Sequence, residues 1–152
     1  MKNILNQITD LFGLQRKHML VVDDEEPLRF LFFKFFSERG YEVTLAGNIA
    51  EAHLALEKGG FDLVLHDVGL PDGSGIDSLV FIKANYPDLP VFILTGLGYD
   101  EDFLQAAIRS GAAGYLSKFV PLDQVLMEIN RVLKFGARDV TADRDRPPTD
   151  AS

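Results

Sequence analysis

The chain has 152 residues, of which 47% are hydrophobic and 25% charged, a composition typical of one globular domain rather than of a disordered or fibrous protein. Its net charge is −8, and residues 18–135 carry 18 acidic against 9 basic side chains, so direct nucleic-acid binding is not expected because acidic surfaces repel phosphates. With no cysteine and no apolar run near the about 20 residues of a membrane-spanning helix, the sequence excludes disulfides and thiolate chemistry, predicts no membrane span and fits the cytoplasm.

The first 17 residues, 1–17, are predicted to form an amphipathic helical extension. Five apolar side chains recur there at helical spacing, namely Ile4, Leu5, Ile8, Leu11 and Phe12. Three roles remain open for this segment: a helix packed on the domain, a docking or homodimerising helix, and a weak membrane-surface helix.

Five strand patterns alternate with five helix patterns in residues 18–135, which we predict to be one domain. The predicted strands cover residues 18–22, 41–46, 62–66, 91–95 and 113–117. The predicted helices run from Pro27 to a stop at Gly40 and then cover residues 49–58, 76–84, 100–110 and 122–135. This alternation implies an α/β fold with an open parallel sheet covered on both faces, and right-handed crossovers favour a doubly wound sheet.

Residues 136–152 are predicted to be a disordered tail or a linker. They contain almost no large apolar side chains, two adjacent prolines and charges of both signs. Such a segment cannot bury enough apolar surface to offset the entropy lost on folding.

Polar side chains, and in one case a glycine with an unobstructed backbone N–H, lie at the ends of four of the five predicted strands. Ligands of doubly wound sheets bind outside the carboxyl ends of the strands, so these side chains are candidates for one site. They are Asp23 and Asp24 after the first strand, Asp67 after the third, Thr95 and Gly96 at the fourth, and Ser117 and Lys118 at the fifth.

Three carboxylates at one sheet edge would raise each other's pKa unless a cation neutralised them. Mg²⁺ is the natural candidate, because it prefers hard oxygen ligands and commonly binds a few carboxylates together with a phosphate. The ammonium of Lys118, the hydroxyl of Thr95 and the backbone N–H of Gly96 could surround a phosphoryl group during its transfer. Asp67 would be the nucleophile, because a carboxylate can form an aspartyl phosphate.

These motifs resemble those of the receiver domains of two-component response regulators, the CheY-like superfamily, over residues 18–135. "VVDDEEP" resembles the acidic pair of the family and "DLVLHDVGLPDGSG" its phosphoacceptor strand and following loop. "ILTG" resembles its switch threonine segment, and "SGAAGYLSK" its aromatic and lysine segment. The resemblance implies a flavodoxin-like fold of five βα units with strand order 2-1-3-4-5.

The same resemblance implies a role for each matching residue. Asp23 and Asp24 would bind Mg²⁺ together with the backbone carbonyl of Gly69, and Asp67 would take phosphate from a histidine kinase or phosphotransfer protein. Thr95 and Lys118 would hold the phosphoryl group. Tyr115 would be the switch aromatic, changing the face that a downstream protein partner or effector domain reads. Such a protein is a signalling phosphoacceptor that catalyses only its own phosphorylation and dephosphorylation.

Two other functions compete with this interpretation. A pseudo-receiver would bind partners without phosphorylation, although the intact acidic trio and Lys118 argue against it. A Mg²⁺-dependent phosphohydrolase with an aspartate nucleophile commonly has a second aspartate two residues later, where this chain has Gly69.

The chain departs from the family pattern at two places. The family usually has proline directly after its lysine, whereas Phe119 follows Lys118 here, which leaves the local backbone path uncertain. Residues two after the phosphoacceptor and two after the threonine tune dephosphorylation in the family, and here they are Gly69 and Leu97. Neither side chain can hydrogen-bond a hydrolytic water, so we expect slow hydrolysis of the aspartyl phosphate.

The first helix carries five phenylalanines within seven residues. Its predicted core stripe consists of Leu28, Leu31, Phe32, Phe35 and Phe36. Phe30 and Phe33 fall on the opposite side, where they could dock a kinase or phosphotransfer protein, pack under the N-terminal helix, or have no role. His66, next to the acceptor, is predicted to point away from the site.

Overall fold

The secondary structure follows the predicted alternation of strands and helices, in a computed structural model that describes Ile4, Gln7, Leu11 and residues 16–96 and 100–135. In chain order the elements are β1 (His18–Val22), α1 (Glu26–Ser37), β2 (Glu42–Ala46), α2 (Ile49–Glu57), β3 (Leu63–Asp67), β4 (Gly69–Leu70), β5 (Gly73–Ser74), α3 (Gly75–Asn85), β6 (Val91–Thr95), α4 (Glu101–Arg109), β7 (Gly114–Ser117) and α5 (Leu122–Phe135). None of the helices in the described ranges is long and apolar enough to cross a membrane.

Five strands form one parallel sheet in the order β2-β1-β3-β6-β7, which confirms the predicted order once the two short strands β4 and β5 are set aside. Every residue of β3 and of β6 is buried, as expected for central strands of a sheet covered on both faces. The sequence did not predict the β4–β5 hairpin, because two-residue strands are too short to show a period.

The two faces of the sheet carry two separate cores, which confirms the doubly wound arrangement. One core packs α1 and α5 on the sheet, with Phe32, Phe36 and Ile129 fully or almost fully buried. The other packs α2, α3 and α4 on the opposite face, around side chains such as Leu56 and Leu79. Apolar burial on both faces therefore supplies the main stabilisation of the sheet.

The core stripe predicted for α1 is wrong at one position. Phe32 and Phe36 are buried, but Leu31 is 50% exposed. Successive residues turn by about 100° around a helix, which puts Leu31 at the solvent edge of the stripe centred near Phe32. Phe30 and Phe33 are 64% and 41% exposed, as the helical wheel predicts.

The predictions for the two ends of the chain concern mostly undescribed positions. Of the predicted N-terminal helix, Ile4, Gln7 and Leu11 are described and helical, and Ile4 and Leu11 are 75% and 79% exposed. The described residues do not include Leu5, Ile8 and Phe12 of this helix, nor residues 136–152. They also do not include Leu97, the position two residues after Thr95.

Candidate functional site

The carboxyl ends of the parallel strands bring the predicted site residues to one edge of the sheet. Parallel pairing aligns Asp67 with Leu94 and Thr95 with Ser117, so β3, β6 and β7 end side by side. Lys118 follows directly, and its backbone N–H donates to the Thr95 carbonyl at 2.8 Å. Residues far apart in the chain thus meet because their strands share a direction.

An acidic centre forms at this edge and is bridged by one ammonium group. Lys118 Nζ lies 2.8 Å from Asp23 Oδ2 and 2.8 Å from Asp67 Oδ2. Asp23 is fully buried and Asp67 is 4% exposed, whereas Asp24 is exposed. One carboxylate oxygen of each of the three aspartates lies within 4.8 Å of the others. The predicted acidic trio and the lysine are therefore one cluster.

Burial and charge act in opposite directions on the two central groups. Burial raises the pKa of Asp67, the Lys118 ammonium partly offsets this, and the Asp23 carboxylate raises it further. For Lys118 burial is the largest single influence and lowers its pKa, but the hydrogen bonds and charges of Asp23 and Asp67 together raise it above the usual value. Lys118 is thus held as a cation against two carboxylates.

The loop after Asp67 is a small hairpin that begins beside the acidic centre. The N–H of Gly69 in β4 lies 3.4 Å from Asp67 Oδ1. At Gly75, where α3 begins, a Cβ would lie 2.3 Å from the carbonyl oxygen of Asp67, a distance that no side chain tolerates. Gly75 therefore allows α3 to start directly against the backbone of Asp67.

One cleft collects the remaining predicted residues. It has a volume of about 1080 Å³ and is lined by polar and apolar groups, among them Asp24, Asp67, Gly69, Thr95, Gly96, Phe103, Lys118 and Phe119. A Cβ at Gly96 would lie 3.7 Å from the Lys118 side chain, so the Gly96 backbone is adjacent to the ammonium arm. Tyr115 is half-buried and packs against the core around α4.

The backbone after Lys118 turns without the proline usual in the resembling family. The Phe119 N–H donates to the Ser117 hydroxyl at 3.1 Å, and the Val120 N–H donates to the Ser117 carbonyl at 3.3 Å. Ser117 thus closes the turn that carries Lys118. Phe119 itself is 81% exposed at the mouth of the cleft.

Sequence reasoning missed the residues that hold the acidic loop in place. Arg29 Nη1 donates to the Asp23 carbonyl at 2.6 Å, and the Glu25 N–H donates to Asp23 Oδ1 at 2.9 Å. An arginine one turn into a helix is common on surfaces, so its spacing from Asp23 carried no usable signal. Phe103, which lines the cleft, was also missed, because an apolar residue in a helical pattern looks the same whether it faces the core or a cleft.

His66 also does more than its sequence position predicted. Neither of the two hydrogen bonds of its ring goes to the Asp67 carboxylate, in line with the expectation that it points away. Instead Nδ1 lies 2.7 Å from the Asp67 backbone carbonyl and Nε2 lies 2.8 Å from Ser78 Oγ.

Comparison with known proteins identifies one family. The family model of the response regulator receiver domain matches residues 19–130. The response regulator protein PilR of Pseudomonas aeruginosa is 35% identical over 112 residues, which cover 74% of this chain and 25% of PilR. The chain spans about a quarter of PilR and about half of several other curated relatives that it matches.

Two similar solved structures contain ligands. A response regulator from Burkholderia pseudomallei with a phosphorylated aspartic acid, calcium ion and citrate is 27% identical, with a TM-score of 0.73 and coverage of 85% of this chain and 73% of that one. The response regulator TrrA of Thermotoga maritima in complex with Mg²⁺-BeF is 29% identical, with a TM-score of 0.69 and coverage of 76% and 98%.

Proposed function

Because this chain belongs to the response regulator receiver domain family, we propose that Asp67 accepts a phosphoryl group from a phosphohistidine of a histidine kinase or phosphotransfer protein. The observation that carries the proposal is the Lys118 ammonium, which lies 2.8 Å from both Asp23 and Asp67, two carboxylates that are fully or almost fully buried. Burying two carboxylates costs free energy even when an ammonium group pairs with them, and buried charges of this kind are typical of functional sites.

Mg²⁺ fits the donor set of this centre. The three aspartates offer hard carboxylate oxygens within 4.8 Å of one another. Asp23 Oδ2 is buried and, apart from its ion pair with Lys118, has no hydrogen-bond partner among the described residues. Asp23, Asp24 and Asp67 would hold the ion, with the backbone carbonyl of Gly69 as a fourth ligand. When bound, Mg²⁺ supplies positive charge to the carboxylates and to the phosphoryl oxygens.

The protein groups account for the transfer itself. A carboxylate oxygen of Asp67 attacks the phosphorus, the phosphorus–nitrogen bond of the donor breaks, and the imidazole nitrogen leaves with its electron pair and takes up a proton. Lys118, the Thr95 hydroxyl and the Gly96 N–H stabilise the negative charge on the phosphoryl oxygens. Asp67 must be ionised to attack; burial raises its pKa, and the Lys118 ammonium opposes that shift by favouring the ionised form.

A switch follows from the new charge on Asp67. The phosphoryl group carries about two negative charges in place of the single charge of the carboxylate, together with strong acceptor oxygens, and these attract the Thr95 hydroxyl. Movement of Thr95 opens space that the half-buried ring of Tyr115 can fill. A downstream protein partner or effector domain would then read the changed face around β6, α4 and β7.

Phosphorylation by a small donor tests this proposal. We expect the full chain, incubated with acetyl phosphate and Mg²⁺, to gain the mass of one phosphoryl group, and Asp67→Asn to gain none. Asp24→Asn should lower the rate at least about tenfold, because losing even a group that only hydrogen-bonds a metal ligand typically costs 10- to 100-fold. Asp88→Asn, which changes an exposed acid outside the cleft, is the matched control.

The same experiment separates the competing functions. No mass gain in the unaltered chain, together with no response to Mg²⁺ and beryllium fluoride, would favour a pseudo-receiver. Steady release of phosphate from small esters would favour a phosphohydrolase.

A further inference from the structure

A chain of hydrogen bonds runs behind the acceptor, on the face of the sheet opposite the Asp67 carboxylate. His66 is fully buried in β3, and its Nδ1 lies 2.7 Å from the carbonyl oxygen of Asp67. Its Nε2 lies 2.8 Å from the hydroxyl of Ser78 in α3, which is 2% exposed. The same hydroxyl lies 3.0 Å from Nε2 of His53 in α2. Side chains from three elements therefore meet on one hydroxyl and one backbone carbonyl.

The backbone carbonyl determines where each proton lies. A carbonyl oxygen only accepts, so Nδ1 of His66 must carry the proton, because two lone pairs at 2.7 Å would repel each other. With the proton on Nδ1, the neutral ring offers Nε2 as an acceptor. The Ser78 hydroxyl then donates to His66, and His53 Nε2–H donates to Ser78. The donor and the acceptor of each of these three hydrogen bonds are thereby assigned.

The Asp67 carbonyl is held from two sides. His66 Nδ1–H bonds it, and Gly75 packs so closely that a Cβ there would lie 2.3 Å from it. A peptide plane fixed in this way also fixes the direction of the Asp67 Cα–Cβ bond. Misplacing a reacting group by about 1 Å can cost about 100-fold in rate.

We propose that His66 is a positioning residue for Asp67: its Nδ1–H, directed by the Ser78 hydroxyl, holds the acceptor backbone so that the carboxylate points into the acidic centre. The inference rests on the proposed function of Asp67 for its effect on rate, but its hydrogen-bond geometry can be tested without phosphorylation.

The direct test is the tautomeric state of the histidines. In the full chain with ¹⁵N-labelled histidine, NMR should show His66 as the neutral Nδ1–H tautomer and His53, at a pH where it is neutral, as the Nε2–H tautomer. An Nε2–H tautomer at His66 would overturn the proposal, whether or not Asp67 is phosphorylated.

Two substitutions separate positioning from simple packing. The amide nitrogen of asparagine occupies nearly the place of Nδ1, whereas that of glutamine reaches toward Nε2. We expect His66→Asn to keep the rate of phosphorylation by acetyl phosphate within about threefold and His66→Gln to lower it about tenfold or more. Equal rates in the two variants would contradict a positioning role, because a packing defect should affect both alike.

A matched pair and a second variant complete the design. His18→Asn and His18→Gln make the same changes at the start of β1, at the edge of the sheet opposite to the acidic centre. His18 is hydrogen-bonded to Thr44 there, and these variants should leave the rate unchanged. Ser78→Ala removes the donor to Nε2 and should lower the rate several-fold. If both His66 variants fail to fold, a Ser78→Ala rate equal to that of the unaltered chain would refute the proposal. If the unaltered chain itself takes no phosphate, the proposed function fails, while the tautomers still decide the geometry.

Discussion

Gly69 shows how much one missing side chain can decide. It lies two residues after Asp67, and its N–H lies 3.4 Å from Asp67 Oδ1. A Cβ built on Gly69 meets nothing within 4 Å. The space beside Asp67 is therefore open because Gly69 has no side chain, and no neighbouring atom fills it.

At this residue we predict a slow loss of phosphate that a polar side chain would accelerate. Gly69→Asn should shorten the half-life of the aspartyl phosphate about tenfold, because its amide can orient a hydrolytic water. An ideally placed general acid or base contributes about 100-fold or more, and we expect a smaller effect from an amide. The decay of phosphoprotein mass after removal of acetyl phosphate measures it.

Gly69→Ala is the control, since it adds a Cβ in the same open space without a polar group. We expect its half-life to match that of the unaltered chain. A half-life of seconds in the unaltered, Mg²⁺-loaded protein would show that slow hydrolysis was a wrong inference.

The phenylalanines of helix α1 lie both in the core and on the surface. Phe32 and Phe36 are buried in the core beneath it. Phe30 and Phe33 lie on its exposed side, where a contiguous aromatic pair is unusual for a surface that only meets water. We propose that this pair docks the phosphohistidine-bearing kinase or phosphotransfer protein.

For this helix we predict a selective defect in protein-dependent transfer. Phe30→Ser with Phe33→Ser should slow phosphorylation by a histidine kinase that is active on the unaltered chain by about tenfold or more, as expected for the loss of two interface aromatics. The rate with acetyl phosphate should not change, because the acidic centre is intact.

Leu54→Ser with Val80→Ser removes comparably exposed apolar groups on α2 and α3 and should leave both rates unchanged. Unchanged transfer from the kinase, combined with lower stability of the Phe30 and Phe33 variant, would instead indicate internal packing of these rings.

For the molecule as a whole, the buried His66 should link stability to pH. Its pKa is lowered from 6.5 to about 4, chiefly by burial. The unfolded chain therefore takes up a proton before the folded chain does, and the stabilisation present above pH 6.5 is lost as the pH falls through about 4. The limiting loss is about 3 kcal/mol. Asp67, whose pKa is raised by burial, acts in the opposite direction as the pH falls.

Urea unfolding in EDTA between pH 7 and 4.5 measures this effect. The free energy of unfolding should fall more steeply for the unaltered chain than for His66→Asn, by up to about 1.4 kcal/mol per pH unit below pH 6. Parallel pH profiles for the two proteins would show that His66 is not the group responsible. Asp67→Asn should make the acid loss steeper, because it removes the opposing contribution.

The sequence alone determined the succession of strands and helices along the chain. It also determined which edge of the sheet carries Asp23, Asp24, Asp67 and Lys118. Both follow from local information, since the spacing of apolar residues reports which local conformation buries them. Parallel strands then bring their carboxyl ends to one edge whatever the details of packing.

Only the tertiary structure decided which side chains of that region touch. The bridge from Lys118 to two aspartates, the clamp of Arg29 on Asp23, and the link from His66 through Ser78 to His53 join residues from different elements. Such contacts depend on how the helices pack and on a few tenths of an ångström, which no periodicity records. Leu31 is exposed for the same reason, because the exact rotation of a helix on its sheet is set by all its packed neighbours together.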